Sequence, residues 1–464
     1  MCSAISPSNS YNSPEKLSLR DNNAAIVRQI GEIPNSKSIN MYKKEFSALS
    51  IIVISFTFTF AENWPQWRGP ELNGLSNEKN LPVRWSTQEN VIWRLALPGL
   101  SASTPVIWED RVFLNVTEGE EISLWCVDKK RGSLIWKKLL RGQGTKPLRT
   151  HPKHNPSSPS PVTDGKHVYV LNAYGSLQSF DFAGNEIWMR DIEQDYGRFY
   201  LRFGYASSPL LFEGSLYIQV LRATTSNAPS YILRIDKKTG KTLWKIDYPF
   251  EAGFKAADSY ATPTLLRQGK NVELIINGSD QVTGHDANTG QELWRVAGLS
   301  SQKEPSRVAS SPLVANGVIY APASDRPLLA LRAGGRGNIA DSHQLWSSRN
   351  GPDIPSPVTD GRYFYIVNDK GIMRCLDAKS GKEIWGPSRL KPGGYSASPV
   401  LADGKIYVTS EEGLTSVVKA GPNFEILSEN SLDDRCLSSP ALSDGQIFIR
   451  TAKYLYCIGN QRGR

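Results

Sequence analysis

Hydrophobic residues in this chain come in short runs of four to six strand formers, each closed by a turn signal. The stretch from Ser356 to Trp385, SPVTDGRYFYIVNDKGIMRCLDAKSGKEIW, shows the pattern in full. A strand predicted at Ile372 to Leu376 is followed by Asp377-Ala378-Lys379-Ser380-Gly381 and by a second strand starting at Glu383. In that turn the aspartate can hydrogen-bond the backbone and the glycine tolerates positive φ, which is hairpin chemistry. The same phrase recurs along the chain: Ser-Pro, two apolar residues, Asp-Gly or similar, an aromatic and β-branched run, Leu-Asp, a Thr-Gly turn and a closing tryptophan.

The opening proline stands at Pro105, Pro161, Pro209, Pro263, Pro312, Pro357, Pro399 and Pro440, at intervals of 41 to 56 residues. That is the period of four-stranded propeller blades. The closing residues are Trp136, Trp188, Trp244, Trp294, Trp346 and Trp385, while the seventh repeat has Phe424-Glu425-Ile426-Leu427 where a tryptophan would fall. The eighth repeat stops at Ile458-Gly459 after its third strand, and an unmatched Asn90-Val91-Ile92-Trp93-Arg94 precedes the first. The prediction is an all-β, eight-bladed β-propeller of four-stranded antiparallel blades, closed by the N-terminal strand carrying Trp93. Such closure pairs the chain ends and removes sheet edges. Recurrence at one repeat position is what packing between blades demands, so Trp93, Trp136, Trp188, Trp244, Trp294, Trp346 and Trp385 are read as structural.

Length alone, at 464 residues, would argue for two or three domains, but repetition overrides that prior. The repeats make residues 62–464 one domain. Upstream, Lys43 and Lys44 precede an apolar run from Phe46 to Phe60, with Thr59 and Ala61 at a small-residue cleavage point. Residues 41–61 read as a secretory signal peptide, its apolar run too short to span a bilayer. Residues 1–40 are polar and lack periodicity, so they read as a disordered leader or a mis-assigned start. The protein is therefore expected in the periplasm, outside the cell or in the cell envelope. Net charge is +9 with basic residues dispersed, which excludes a nucleic-acid partner. Of five cysteines, Cys126, Cys375, Cys436 and Cys457 follow the export segment without a C-x-x-C pair, and neither a zinc site nor a disulfide scaffold is expected.

Two connections stand out from the repeat. The insertion from Arg141 to Pro156 combines Arg149, His151, Lys153 and His154. Two histidines three apart could face one metal, but no helix is plausible around Pro152, and a basic surface loop is the plainer reading. The stretch from Asp195 to Phe203 interleaves Arg198 and Arg202 with Phe199, Tyr200 and Phe203. Opening onto one face, the two loops would make a basic, aromatic-lined mouth to the central channel, suited to an acidic partner or a carbohydrate. Gly240-Lys241-Thr242 ends no phosphate loop, since Ile235 stands where that motif needs its first glycine. No catalytic constellation emerges.

On this repeat the chain resembles the pyrroloquinoline-quinone-like β-propeller proteins, from Trp64 to Gly459. The phrases Trp64-Pro65-Gln66-Trp67-Arg68-Gly69-Pro70, SPSPVTDG from Ser158, RAGGRGN from Arg332 and the closing RTAKYLYCIG resemble a subgroup of large exported propellers. Likeness to the quinoprotein dehydrogenases would imply an axial quinone, a calcium ion, a catalytic aspartate and a vicinal disulfide, yet no two cysteines are adjacent here. Likeness to the propeller subunit of the outer-membrane β-barrel assembly machinery implies a scaffold that binds partners through loops on one face. The expectation is a non-catalytic, monomeric binding protein without cofactor, engaging a protein, a carbohydrate or a small acidic ligand and touching membranes only through other subunits. The alternative is a quinone-dependent oxidoreductase or another exported enzyme.

Overall fold

Each repeat becomes a blade because its runs are long enough for one strand and its turns too tight for anything else. In the sixth blade the strands are Val358–Thr359, Tyr363–Val367, Ile372–Asp377 and Glu383–Arg389, hydrogen-bonded in that order and antiparallel. Middle strands such as Ser215–Val220 are buried along their whole length, whereas outer strands such as Thr242–Asp247 alternate between half-buried and exposed. That is the pattern of sheets stacked face to face with one edge toward solvent. In this computed structural model, residues 62–141, 151–223, 226, 228–248, 257–299, 307–323 and 326–460 are described. The predicted leader and signal peptide lie outside them.

The described strands fall into eight sheets, which form the eight blades of a propeller. The last blade is closed as its missing strand implied. Ala441–Ser443, Gln446–Arg450 and Tyr454–Gly459 are joined by Val91–Ala96, with Trp93 opposite Cys457 and Ala96 opposite Tyr454. Two blades gain a parallel fifth strand. Leu75–Ser76 lies beside Leu401–Ala402, and Gly337–Asn338, from the RAGGRGN phrase, lies beside Trp294–Arg295.

The tryptophan and the Thr-Gly turn are two halves of one joint between neighbouring blades. The indole N–H of Trp93 donates to Lys129 O, Trp136 to Phe182 O, Trp188 to Lys237 O, Trp346 to Ala378 O and Trp385 to Gly421 O, at 2.8 to 3.0 Å. Each acceptor lies in the hairpin turn of the next blade. The turn glycine then lies against the ring: a Cβ on Gly381 would come within 2.6 Å of Trp346, and one on Gly240 within 2.7 Å of Trp188. Both glycines hold φ of +70°, a second reason for glycine there.

Three joints depart from this pattern. At the third blade the Trp244 indole N–H is buried with no partner among the described residues, although a Cβ on Gly290 in the next turn would lie 3.1 Å from its ring. In the seventh blade Ser428, one strand pair from Ile426 across the bulge, occupies the tryptophan's register, so the divergence lies one residue beyond the Phe424 to Leu427 run. Trp85 from the N-terminal segment fills the gap, its ring 6.3 Å from Tyr407, as Trp188 lies 6.1 Å from Tyr169. At the fourth blade the Gly337–Asn338 strand covers the edge. Trp294 is fully buried there, packed where a Cβ on Gly284 would sit, and donates to Glu273 at 2.7 Å. Cys126, Cys375 and Cys457 each pair with a blade tryptophan, Trp136, Trp385 and Trp93, and all are buried free thiols. Burial pushes the Cys126 and Cys375 thiols up to about 12, which suits packing rather than redox chemistry.

Candidate functional site: the axial mouth

The residue before every opening proline carries a hydroxyl, and the structure turns that repetition into a ring. The amide of Thr104 donates to Ser160 Oγ, Ser160 to Ser208, Ser208 to Thr262, Thr262 to Ser311, Ser311 to Ser356, Ser356 to Ser398 and Ser398 to Ser439, all between 2.7 and 3.0 Å. Each bond crosses from one blade to the next around the axis. The eighth position is the seam, where Thr104 Oγ1 is buried without a partner among the described residues. Sequence reading treated Ser-Pro only as a strand opening; the signal it passed over was a hydroxyl at all eight positions.

One end of the axis is crossed by the N-terminal segment. Trp64 pairs with Ile107 in blade one, Pro65 O accepts from Thr163 in blade two, and Gln66 Oε1 accepts from Leu211 in blade three. Arg68 then reaches Ser356 O and Pro399 O at 3.2 Å and Pro357 O, which lie in blades six and seven. Burial lowers this guanidinium to about 9, and the ring of carbonyls supplies the acceptors that let it stay inside. The WPQWRGP phrase is thus a strap across the ring.

Between the strap and the blade connections lies a cavity of about 280 Å³. Trp67 lines it from the strap; Ser160, Ser208, Thr262, Ser398 and Ser439 line it from the hydroxyl ring; Phe203, Tyr260, Ile354 and Leu437 add apolar surface. His151, Lys153, His154 and Arg307 complete the lining, so both unusual connections reach one site. His151 meets Phe203 edge-on with ring centres 5.4 Å apart, and Arg307 lies 6.0 Å over the same ring.

Of the seven candidate residues, three, His151, Lys153 and His154, line the cavity. Arg202 does not line it but stacks at 5.2 Å on Phe203, which does. Arg198 and Tyr200 stand further along the same loop, and Tyr200 is 62% exposed with a left-handed φ of +50°. Arg149 lies outside the described residues. His154 departs from the surface-loop expectation: both ring nitrogens are closed off from solvent, with no partner among the described residues. Burial, with His151 nearby, lowers it to about 4, so it is neutral at pH 7. The loop is drawn in because His154 N bonds His151 O, Asn155 Nδ2 bonds Leu100 O, and Lys153 Nζ reaches Glu411 Oε1 at 2.6 Å.

The carboxylates near the mouth are already engaged. Glu411 takes Lys153 and the Ser396 hydroxyl, and Asp353 takes Arg307 Nη2 at 2.8 Å. Among the described residues no three His, Cys, Asp or Glu side chains converge as metal ligands. This donor set does not fit a calcium ion bound by carboxylates beside a quinone. Nor are two of the described thiols adjacent in the chain.

The family model described as outer membrane protein assembly factor BamB matches residues 78–230 and 228–464. The chain is 25% identical to the outer membrane protein assembly factor BamB of Alkalilimnicola ehrlichii over 198 residues, 40% of this chain and 49% of that protein. That alignment therefore spans about half the relative's length. The crystal structure of BamB from Moraxella catarrhalis superposes with a TM-score of 0.57 at 13% identity, covering 81% of this chain and 98% of that one. A quinohemoprotein alcohol dehydrogenase from Pseudomonas putida gives 0.60 at 14% identity, covering 86% and 81%. At such identities the two structures speak for the propeller fold alone. The family model, by contrast, accounts for nearly all of the described ring, and the chain belongs to the pyrroloquinoline-quinone-like propeller family described by outer membrane protein assembly factor BamB.

Proposed function

We propose that this chain is an exported, non-catalytic propeller that serves as an assembly scaffold in the cell envelope and holds a protein partner on its mouth face. Family membership supports the scaffold role. The observation that carries the choice of face is the loop around Tyr200. Among the large exposed apolar side chains of the described residues Tyr200 is the most exposed, and it is held in a backbone region that tyrosine disfavours. Phe199 and Leu201 on either side are buried, and the Arg222 guanidinium ties down Phe199 O and Arg198 O. A rigid aromatic flanked by Arg198 and Arg202 is the composition of an interface hot spot.

The test is photo-crosslinking in the cells that make the protein, with a photoreactive residue at Tyr200 and, as control, at exposed Leu134 on an outer strand. A discrete protein adduct from position 200 and none from 134 is expected. Equal adducts from both, or none from 200 in a well-expressed protein, overturns the face. The dehydrogenase reading is met by titrating pyrroloquinoline quinone with and without calcium in a calorimeter. The paired carboxylates favour no heat; calcium-dependent micromolar binding would overturn the non-catalytic reading.

A further inference from the structure

The hydroxyl ring has a property that packing does not use. Ser160, Ser208, Thr262, Ser398 and Ser439 each accept one amide N–H, which leaves each oxygen with a proton to donate. None of these five protons has an acceptor among the described residues, and all five side chains line the cavity. His154 adds its imidazole to the lining, with both ring nitrogens turned away from solvent. No carboxylate stands among the described lining residues, so the site offers hydroxyl donors and no anionic acceptor among them. A buried donor is costly to leave unpaired, so a ligand that accepts from these hydroxyls makes bonds that the described protein groups do not make.

Charge limits the ligand further. Lys153 and Arg307 are each compensated by a carboxylate behind them, Glu411 and Asp353, so the cavity offers donors without a large net positive charge. That arrangement suits one negative charge and disfavours several. Trp67, Phe203, Tyr260, Ile354 and Leu437 give the remaining surface an apolar, largely aromatic character, and about 280 Å³ holds one or two fused rings.

We propose that the axial cavity binds a small aromatic monocarboxylate, its ring against Trp67 and Phe203 and its carboxylate received by the hydroxyls of the ring. The inference rests on the mouth being the binding face, and gives that face a small-molecule site beside its protein surface. Occupancy would tie the connections of blades one to four to one molecule, coupling the ligand to the partner-binding loop.

The probe is 2-naphthoate, titrated calorimetrically into the purified full chain beside its neutral isostere 2-naphthamide. The carboxylate is expected to bind one to one and at least about tenfold tighter than the amide, a difference of about 1.4 kcal/mol. Ser208→Ala and Ser398→Ala should each weaken naphthoate several-fold while leaving naphthamide unchanged. Because those variants also remove an inter-blade bond, Arg307→Gln, at the rim of the cavity, provides a variant outside the ring with the same expected selectivity. Thr104→Ala, whose hydroxyl does not line the cavity, should leave both affinities alone. Equal affinity for the two probes, or no binding of either to a folded chain, overturns the proposal. Crosslinking from Tyr200 does not depend on that result, since Tyr200 does not line the cavity, so the two readings fail separately.

Discussion

The rim and the axis of this propeller are built from the same repeat and do opposite things with it. At the rim, five of the repeat tryptophans spend their one N–H within the protein: Trp188, for one, meets Gly240 and donates to the carbonyl of Lys237. Along the axis, the repeated hydroxyls of Ser160, Ser208 and Thr262 each accept one bond and keep a proton with no acceptor among the described residues. The difference teaches how to divide a repeat protein. A repeated residue whose hydrogen-bonding capacity is exhausted by its neighbours is architecture, and one with capacity remaining toward an open volume is available for binding.

Several substitutions would break or sharpen that division. The largest effect belongs to the rim: Trp294→Ala removes a fully buried indole and its bond to Glu273, and should cost about 3–5 kcal/mol in urea unfolding. Should the loss stay under about 1 kcal/mol, blade four would not depend on the inward-turned ring. Next, Ser208→Ala strands the buried amide of Ser160 and should cost about 1–3 kcal/mol, whereas Thr104→Ala removes a hydroxyl with no described partner and should cost under about 1 kcal/mol. Equal losses would erase the distinction between ring and seam. Gly381→Ala forces a side chain into φ of +70° and against Trp346, with a loss of about 1–2 kcal/mol in the same assay.

A subtler effect comes from His154. Its folded pKa of about 4 lies below the ordinary 6.5, so the unfolded chain binds the extra proton first as pH falls. The stability present above pH 6.5 is therefore lost progressively from there through about pH 4. Measured by chemical denaturation across that window, His154→Leu should show a shallower decline than the parent; parallel curves would mean His154 is not held neutral. Least of all, Tyr200→Ala should leave stability within about 0.5 kcal/mol while abolishing the partner adduct, with crosslinking then read from position 198.

Much of the rim was legible because its determinants are local in the repeat. The hairpin at Asp377 to Gly381 forms as read, with Asp377 Oδ1 accepting from Ser380 N at 2.8 Å. The closing strand at Val91–Ala96 was equally plain, since an incomplete last repeat needs its fourth strand from somewhere. The substitute tryptophan in blade seven was not, because Trp85 precedes Tyr407 by more than three hundred residues and no repeat register connects them. At the mouth, sequence picked out His151, Lys153 and His154 as unusual but could not weigh them. Whether a histidine on a loop is exposed depends on what folds over it.

By itself, then, the sequence determined the number of blades, the order of their strands, the closure and the structural use of the tryptophans, all of which follow from spacing and alternation within about fifty residues. Only the tertiary structure decided that eight hydroxyls form an axial ring, that the WPQWRGP strap crosses one end of it, and that His154 turns inward. Those facts depend on groups brought together around a closed circle, where each contact joins residues from different repeats, and a linear pattern carries no record of which side of a chain faces the axis.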